Sequence, residues 1–131
     1  MAIRLKRVYE KPGRHEGARV LIDRVWPRGV RKAEAGIDLW LKEIAPSTKL
    51  RQWFGHDPQK WPEFKRRFFR ELDQNGAMVE QLFKMTQRGS VTLVYGARNE
   101  TCNNAVALKE YLEQRGTGET GKRREEESNN R

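Results

Sequence analysis

Residues 90–97, SVTLVYGA, are the segment that most restricts what this chain can fold into. They are rich in β-branched residues and bounded by glycines, which reads as a strand. A second run, ARVLIDRVW at 18–26, is nearly continuous in apolar residues and is closed by Pro27 and Gly29. It reads as a central strand of a sheet covered on both faces. The opening IRLKRVY alternates Ile3 and Leu5 with Arg4 and Lys6, the period-2 pattern of a strand near a sheet edge. Between it and the second run, EKPGRHEG carries Pro12, Gly13 and Gly17 and reads as a loop.

From Asp38 to Gln87 the signals are helical. Asp38 is placed to cap LWLKEIA, which Pro46 ends. Ser47 opens a short helix, TKLRQWF, and a turn at GHDP leads to Pro62 in the first turn of PEFKRRFFRELDQ. That helix buries Phe64, Phe68 and Leu72 at four-residue spacing and stops at Asn75-Gly76. AMVEQLFKMTQR continues with Met78, Leu82 and Met85 on one face. A last helix turns Ala105, Leu108 and Leu112 inward, with Asn99 or Thr101 as its cap.

Strand, helices, strand, helix is the grammar of an α/β fold: a single layered domain with a small, mostly parallel sheet flanked by helices. The link after the first strand is short for a parallel return, so that strand's direction stays open. A length of 131 residues fits one domain, placed at 1–115. Residues 116–131, GTGETGKRREEESNNR, contain no apolar side chain and are expected to form a disordered charged tail.

Charge points to a partner class. The formal net charge is +9, and the tail is neutral, with Lys122, Arg123, Arg124 and Arg131 against Glu119, Glu125, Glu126 and Glu127. The excess sits on the folded part and favours an anionic partner, either nucleic acid or a phosphorylated or carboxylated small molecule. A single cysteine excludes a disulfide framework and a cysteine-rich zinc site. The absence of a membrane-length apolar stretch or a secretory signal makes the cytoplasm the expected compartment. There is no Walker loop, no GxGxxG and no metal-ligand spacing, so no metal or cofactor is expected.

In open α/β sheets ligands bind beyond the carboxyl ends of the parallel strands. The loops DRVWPRG and YGARNETCNN leave that edge. Together they would gather Asp23, Arg24, Trp26, Arg28, Tyr95, Arg98, Asn99, Cys102, Asn103 and Asn104. Arginines there suit an oxyanion, with Trp26 as a wall and the start of the last helix favouring negative charge. The competing reading pairs Asp23 with an arginine and stacks Arg28 on a tryptophan. Cys102, near a helix start and an arginine, is a candidate nucleophile, against the plainer role of a packing residue. His56 is read as a local turn contact with Asp57 rather than as an acid or base. KRR at 65–67 is read as a solvated, basic helix face, with base stacking on the neighbouring aromatics as its functional alternative.

The segments RVLIDRVWPRG, LWLKEIAPS, LRQWFGHDPQKWPEFKRRF and VTLVYGAR…NNAVALKEYL resemble the YeaO-like branch of the domain-of-unknown-function family numbered 488, from about Ile3 to Leu112. The resemblance implies a compact α/β domain and supplies no activity. It also implies that Asp23 and Arg24 match a pair shared across the wider family. In that branch the last loop usually carries an aspartate and two histidines, where this chain has Asn99, Cys102 and Asn104. An amide is no general base near neutral pH, but asparagine keeps the hydrogen-bonding capacity that binding needs. Three functions therefore compete: an anion-binding α/β domain with Asp23 or Cys102 as candidate catalytic residues, a nucleic-acid-binding module, and a thiol-dependent enzyme.

Overall fold

The computed structural model describes residues 2–116. In chain order these form β1 (Ile3–Arg7), β2 (Ala18–Leu21), α1 (Lys32–Ala35), β3 (Leu39–Trp40), α2 (Thr48–Phe54), α3 (Trp61–Asp73), α4 (Gly76–Arg88), β4 (Val91–Tyr95) and α5 (Asn104–Gly116). Short 3-10 turns at Lys42–Ile44 and Pro58–Lys60 precede α2 and α3. All pairings in the four-stranded sheet are parallel, in the order β1-β4-β2-β3. This is the expected α/β class, with β4 and β2 central and β1 at an edge.

β4 is buried along its whole length because it has a layer on each side. Val91, Leu93 and Tyr95 join Val20 and Ile22 against a core built by α2, α3, α4 and α5, including Phe54, Phe64 and Phe68. The alternate residues Leu21 and Val94 face the other way. There they meet Val8, Trp26, Val30, Ile37 and Trp40, so loops and α1 rather than long helices cover that face.

The direction left open for β1 is parallel. β1 and β2 flank β4 rather than each other, so residues 8–17 must travel back along the sheet and across two strand spacings. That diagonal is roughly 19 Å at normal strand rise and spacing. Ten residues reach about 33 Å when extended, so no helix is needed. The crossing is pinned where Gly17 (φ 67°) meets Ser90: a Cβ at that position would lie 2.1 Å from the Ser90 carbonyl oxygen. Glu16, beside it, is buried between Lys6 and Arg19 and forms ion pairs with both.

LWLKEIA is not an α-helix, which corrects the expectation that Asp38 caps one; only Lys42–Ile44 turns, as 3-10, and Leu41 precedes it. Leu39–Trp40 extends the sheet beside Val20–Leu21, and Asp38 Oδ2 accepts the backbone N–H of Arg19 at 2.8 Å. The carboxylate is used by the neighbouring strand, so it is not available to start a helix. Ser47 opens α2 as expected, its Oγ accepting the Leu50 N–H at 3.1 Å. α5 is capped by Asn103 rather than Asn99 or Thr101, with Oδ1 accepting the Val106 N–H at 2.9 Å. The helix runs through Gly116, and the expected tail beyond it lies outside the described residues.

Candidate functional site

At the carboxyl ends of β2 and β4 the chain is latched by one carboxylate. Asp23 Oδ2 accepts the Gly96 N–H at 2.9 Å, and Oδ1 accepts from Asn104 Nδ2 at 3.1 Å. Asn104 Nδ2 also reaches the Ile22 carbonyl at 3.2 Å, which ties α5 to the end of β2. Gly96 allows this approach, since a Cβ there would lie 3.0 Å from Asp23 Oδ2. Burial pushes the Asp23 carboxyl above its ordinary value of 3.8, opposed by the Asn104 and Gly96 hydrogen bonds and by the charge of Arg51.

Beside this latch is a cleft of about 290 Å³. Asp23, Arg24 and Val25 form its β2 side, and Ala97, Cys102, Asn103 and Asn104 its β4–α5 side. Its remaining walls come from Pro46, from α2 with Arg51 and Gln52, from His56, and from the edges of Phe54 and Phe64. Arg24 is held in place by Nε to the Pro46 carbonyl at 3.2 Å and Nη2 to the Ala45 carbonyl at 3.0 Å. Ser47 aims α2: its N–H and Oγ donate to the two oxygens of Glu71 at 2.9 and 2.7 Å. Arg51, one turn further along, makes no ion pair among the described residues.

The turn feeding α5 is organised by Asn99. Its Oδ1 accepts the N–H groups of Thr101 and Cys102, both at 2.9 Å, and its carbonyl accepts Asn103 Nδ2 at 2.8 Å. His56 follows Gly55, and both are left-handed, at φ 60° and 54°. The expected contact between His56 and Asp57 is replaced: Asp57 Oδ1 accepts the Gln59 N–H at 3.0 Å, and His56 lines the cleft.

Five of the ten residues that the two loops were expected to gather line this cleft: Asp23, Arg24, Cys102, Asn103 and Asn104. The other five do not. Trp26 packs edge-on against Trp40, ring centroids 5.4 Å apart, on the opposite face of the sheet, and its Nε1 donates to the Val30 carbonyl. Arg28 is exposed, and its carbonyl accepts the Tyr9 hydroxyl at 2.9 Å. Tyr95 belongs to the core. Burial raises its phenol above the usual value, helped by Glu100 and opposed by Asn103. Arg98 is exposed and Asn99 is used within its turn. The three-arginine convergence is therefore corrected: Arg24 is joined by Arg51, not by Arg28 and Arg98. The sequence marked α2 as a helix but carried no local sign that it closes over the strand ends.

No group of three or more metal-ligating side chains occurs among the described residues, and none of their helices is long and apolar enough to cross a membrane. Residues 2–130 match the family model described as the inactive DUF488-N3 subclade. The uncharacterized protein Rv3073c of Mycobacterium tuberculosis is 40% identical over 110 residues, covering 84% of this chain and 92% of its own length. The uncharacterized protein YeaO of Escherichia coli is 38% identical over 112 residues, covering 86% and 97%. No solved structure matches the chain.

Proposed function

Since the chain belongs to the DUF488 family, in the subclade whose model is described as inactive, we propose that its cleft binds a small anion without turning it over. The observation that carries this reading is Arg51, which lines the same cleft as Arg24 from the α2 side and has no carboxylate within ion-pair distance among the described residues, its charge acting on Asp23 from further away. Guanidinium groups take phosphate and carboxylate oxygens in a bidentate manner. The amides of Gln52, Asn103 and Asn104 add neutral donors and acceptors. A volume near 290 Å³ is at the small end of ligand sites, suited to a mononucleotide, a sugar phosphate or a compact carboxylate. Binding without turnover is favoured by Asp23, whose carboxylate oxygens are both engaged in holding two strands and a helix together.

Thermal shift with inorganic anions, nucleotides and sugar phosphates tests this reading. A ligand at a hundred times its dissociation constant stabilises by about 2.7 kcal/mol, a shift on the order of 10 °C for a domain of this size. Arg51→Ala should abolish the shift and Arg28→Ala should leave it intact. A shift indifferent to Arg51→Ala, or none with any anion, would overturn the proposal.

A thiol-dependent enzyme is the second reading, favoured by one observation: Cys102 and His56 line the same cleft. It requires rapid alkylation of Cys102 by iodoacetamide below about pH 8 that slows in His56→Ala. Slow labelling of the folded protein removes it.

A further inference from the structure

Two of the residues that the cleft leaves out, Arg28 and Arg98, lie on loops that meet near Tyr9. Beyond the carboxyl end of β1, Tyr9 is 50% exposed, and with Val25 it is one of two exposed large apolar side chains among the described residues. Its hydroxyl is tied to the Arg28 carbonyl at 2.9 Å, and the Arg7 guanidinium lies over the ring at 5.1 Å from its centroid. Arg7 Nε in turn donates to the Ala97 carbonyl at 2.9 Å, which brings Arg98 to the same edge. The ring is fixed at its tip by the Arg28 carbonyl and has a guanidinium over it, while half of the residue's surface stays exposed.

From this geometry we propose that Tyr9, with Arg7, Arg28 and Arg98 around it, is a stacking platform for single-stranded nucleic acid. A fixed aromatic ring flanked by cations is how such chains are bound without sequence readout: bases stack and arginines follow the phosphates. Charge selects this edge over the basic face of α3. On α3, Arg66 and Arg67 pair with Glu63 and Lys65 pairs with Glu110, which leaves Arg70 as the one cation of that helix without a carboxylate within ion-pair distance among the described residues. At the Tyr9 edge none of the three arginines has a carboxylate within ion-pair distance among the described residues, although Glu10 and Glu100 lie on the same loops. The platform lies across the DRVWPRG loop from the cleft and does not depend on it.

Fluorescence anisotropy of the full chain with a labelled short oligothymidylate and oligouridylate, at about 50 mM salt, is the test. Loss of one base stack weakens binding by roughly 5- to 150-fold, and Tyr9→Ala should fall in that range. Tyr9→Phe keeps the ring and should stay within about threefold of wild type. Arg28→Glu changes an exposed side chain that makes no hydrogen bond among the described residues. It keeps the question answerable if Tyr9→Ala proves unstable, and should weaken binding at least about fivefold while flattening its salt dependence. Arg51→Ala should have no effect. Failure of the wild type to bind, or binding indifferent to both Tyr9→Ala and Arg28→Glu, overturns the platform. So does binding that depends on Arg66 instead.

Discussion

His56 sits at φ 60°, where a residue with a Cβ costs roughly 1–2 kcal/mol over glycine. Its ring centroid is 6.3 Å from that of Phe54, within aromatic-pair range, and a contact of that kind offsets about 0.5–1.5 kcal/mol of this cost. Strain that persists at the wall of a cleft is a feature of ligand sites. His56→Gly should therefore match or exceed wild-type stability by up to about 1 kcal/mol in urea unfolding, the gain being reduced by glycine's freedom in the unfolded chain. Its anion-induced thermal shift should shrink. A stability loss above about 1 kcal/mol would show that the imidazole supports the fold instead. At this scale the sequence was informative where a residue acts near its own strand, as Asp23, Asn103 and Asn104 do. It was silent about Arg51, because nothing within a few residues of position 51 records which surface its helix will cover.

Helix α2 depends on one serine twice over. Ser47 Oγ accepts the Leu50 N–H and donates to Glu71, so the same atom starts the helix and fastens it to α3. Ser47→Ala should cost about 1–2 kcal/mol, the loss of a cap plus a weakened tie to a carboxylate. Amide exchange in Thr48–Phe54 should accelerate more than in α3, and unchanged protection there would refute the claim that this cap holds the wall. The start at Ser47 follows from its local signal, and α3 stops just before Asn75-Gly76, although Gly76 opens α4 rather than capping α3 and the short α1 has no sign in the sequence reading. Two readings failed for reasons that are not local. LWLKEIA has an acceptable helix pattern, but the N–H of Arg19 on β2 takes the Asp38 carboxylate and draws Leu39–Trp40 into the sheet, leaving only the 3-10 turn Lys42–Ile44 helical. The cap of α5 fell to Asn103 because Asn99 is spent on the turn before it, and three similar polar residues in five positions are equivalent until that turn forms.

Over the whole molecule, one buried charge cluster joins strands that are not neighbours. Glu16 lies on the crossing between β1 and β2, pairing with Lys6 on the first and Arg19 on the second, while its carbonyl accepts Thr92 Oγ1 on β4 at 2.6 Å. Burial alone would raise the Glu16 carboxyl, but hydrogen bonds from Lys6, Arg19 and the Gly13 N–H outweigh it and hold the group below 4.5. A carboxyl lowered in the folded state stabilises fully above its unfolded value and loses that contribution as pH falls through its folded value. Glu16→Gln should thus be less stable near pH 7 by on the order of 3 kcal/mol at most, the cost of leaving the buried Arg19 and the half-buried Lys6 without their carboxylate. Its stability should decline less than the wild type's between about pH 5 and pH 3. Asp23 acts in the opposite sense, since ionising a carboxyl raised by burial costs stability as pH rises, and it softens the wild-type acid slope. Parallel urea stability profiles for the two proteins across that range would show that Glu16 does not tie the strands together. By itself the sequence determined the α/β class, the two strands that form the middle of the sheet, most helix boundaries and the placing of Asp23 and Asn104 at the carboxyl-end edge of the strands. These follow from side-chain periodicity, capping and turn chemistry, which act within a few residues. Only the tertiary structure decided that β1 is parallel, that Leu39–Trp40 joins the sheet, that α2 brings Arg51 to the cleft, and that DRVWPRG divides its residues between two sides of the sheet. Those outcomes depend on which distant backbone groups and apolar faces need partners, and that demand exists only once the chain has come together.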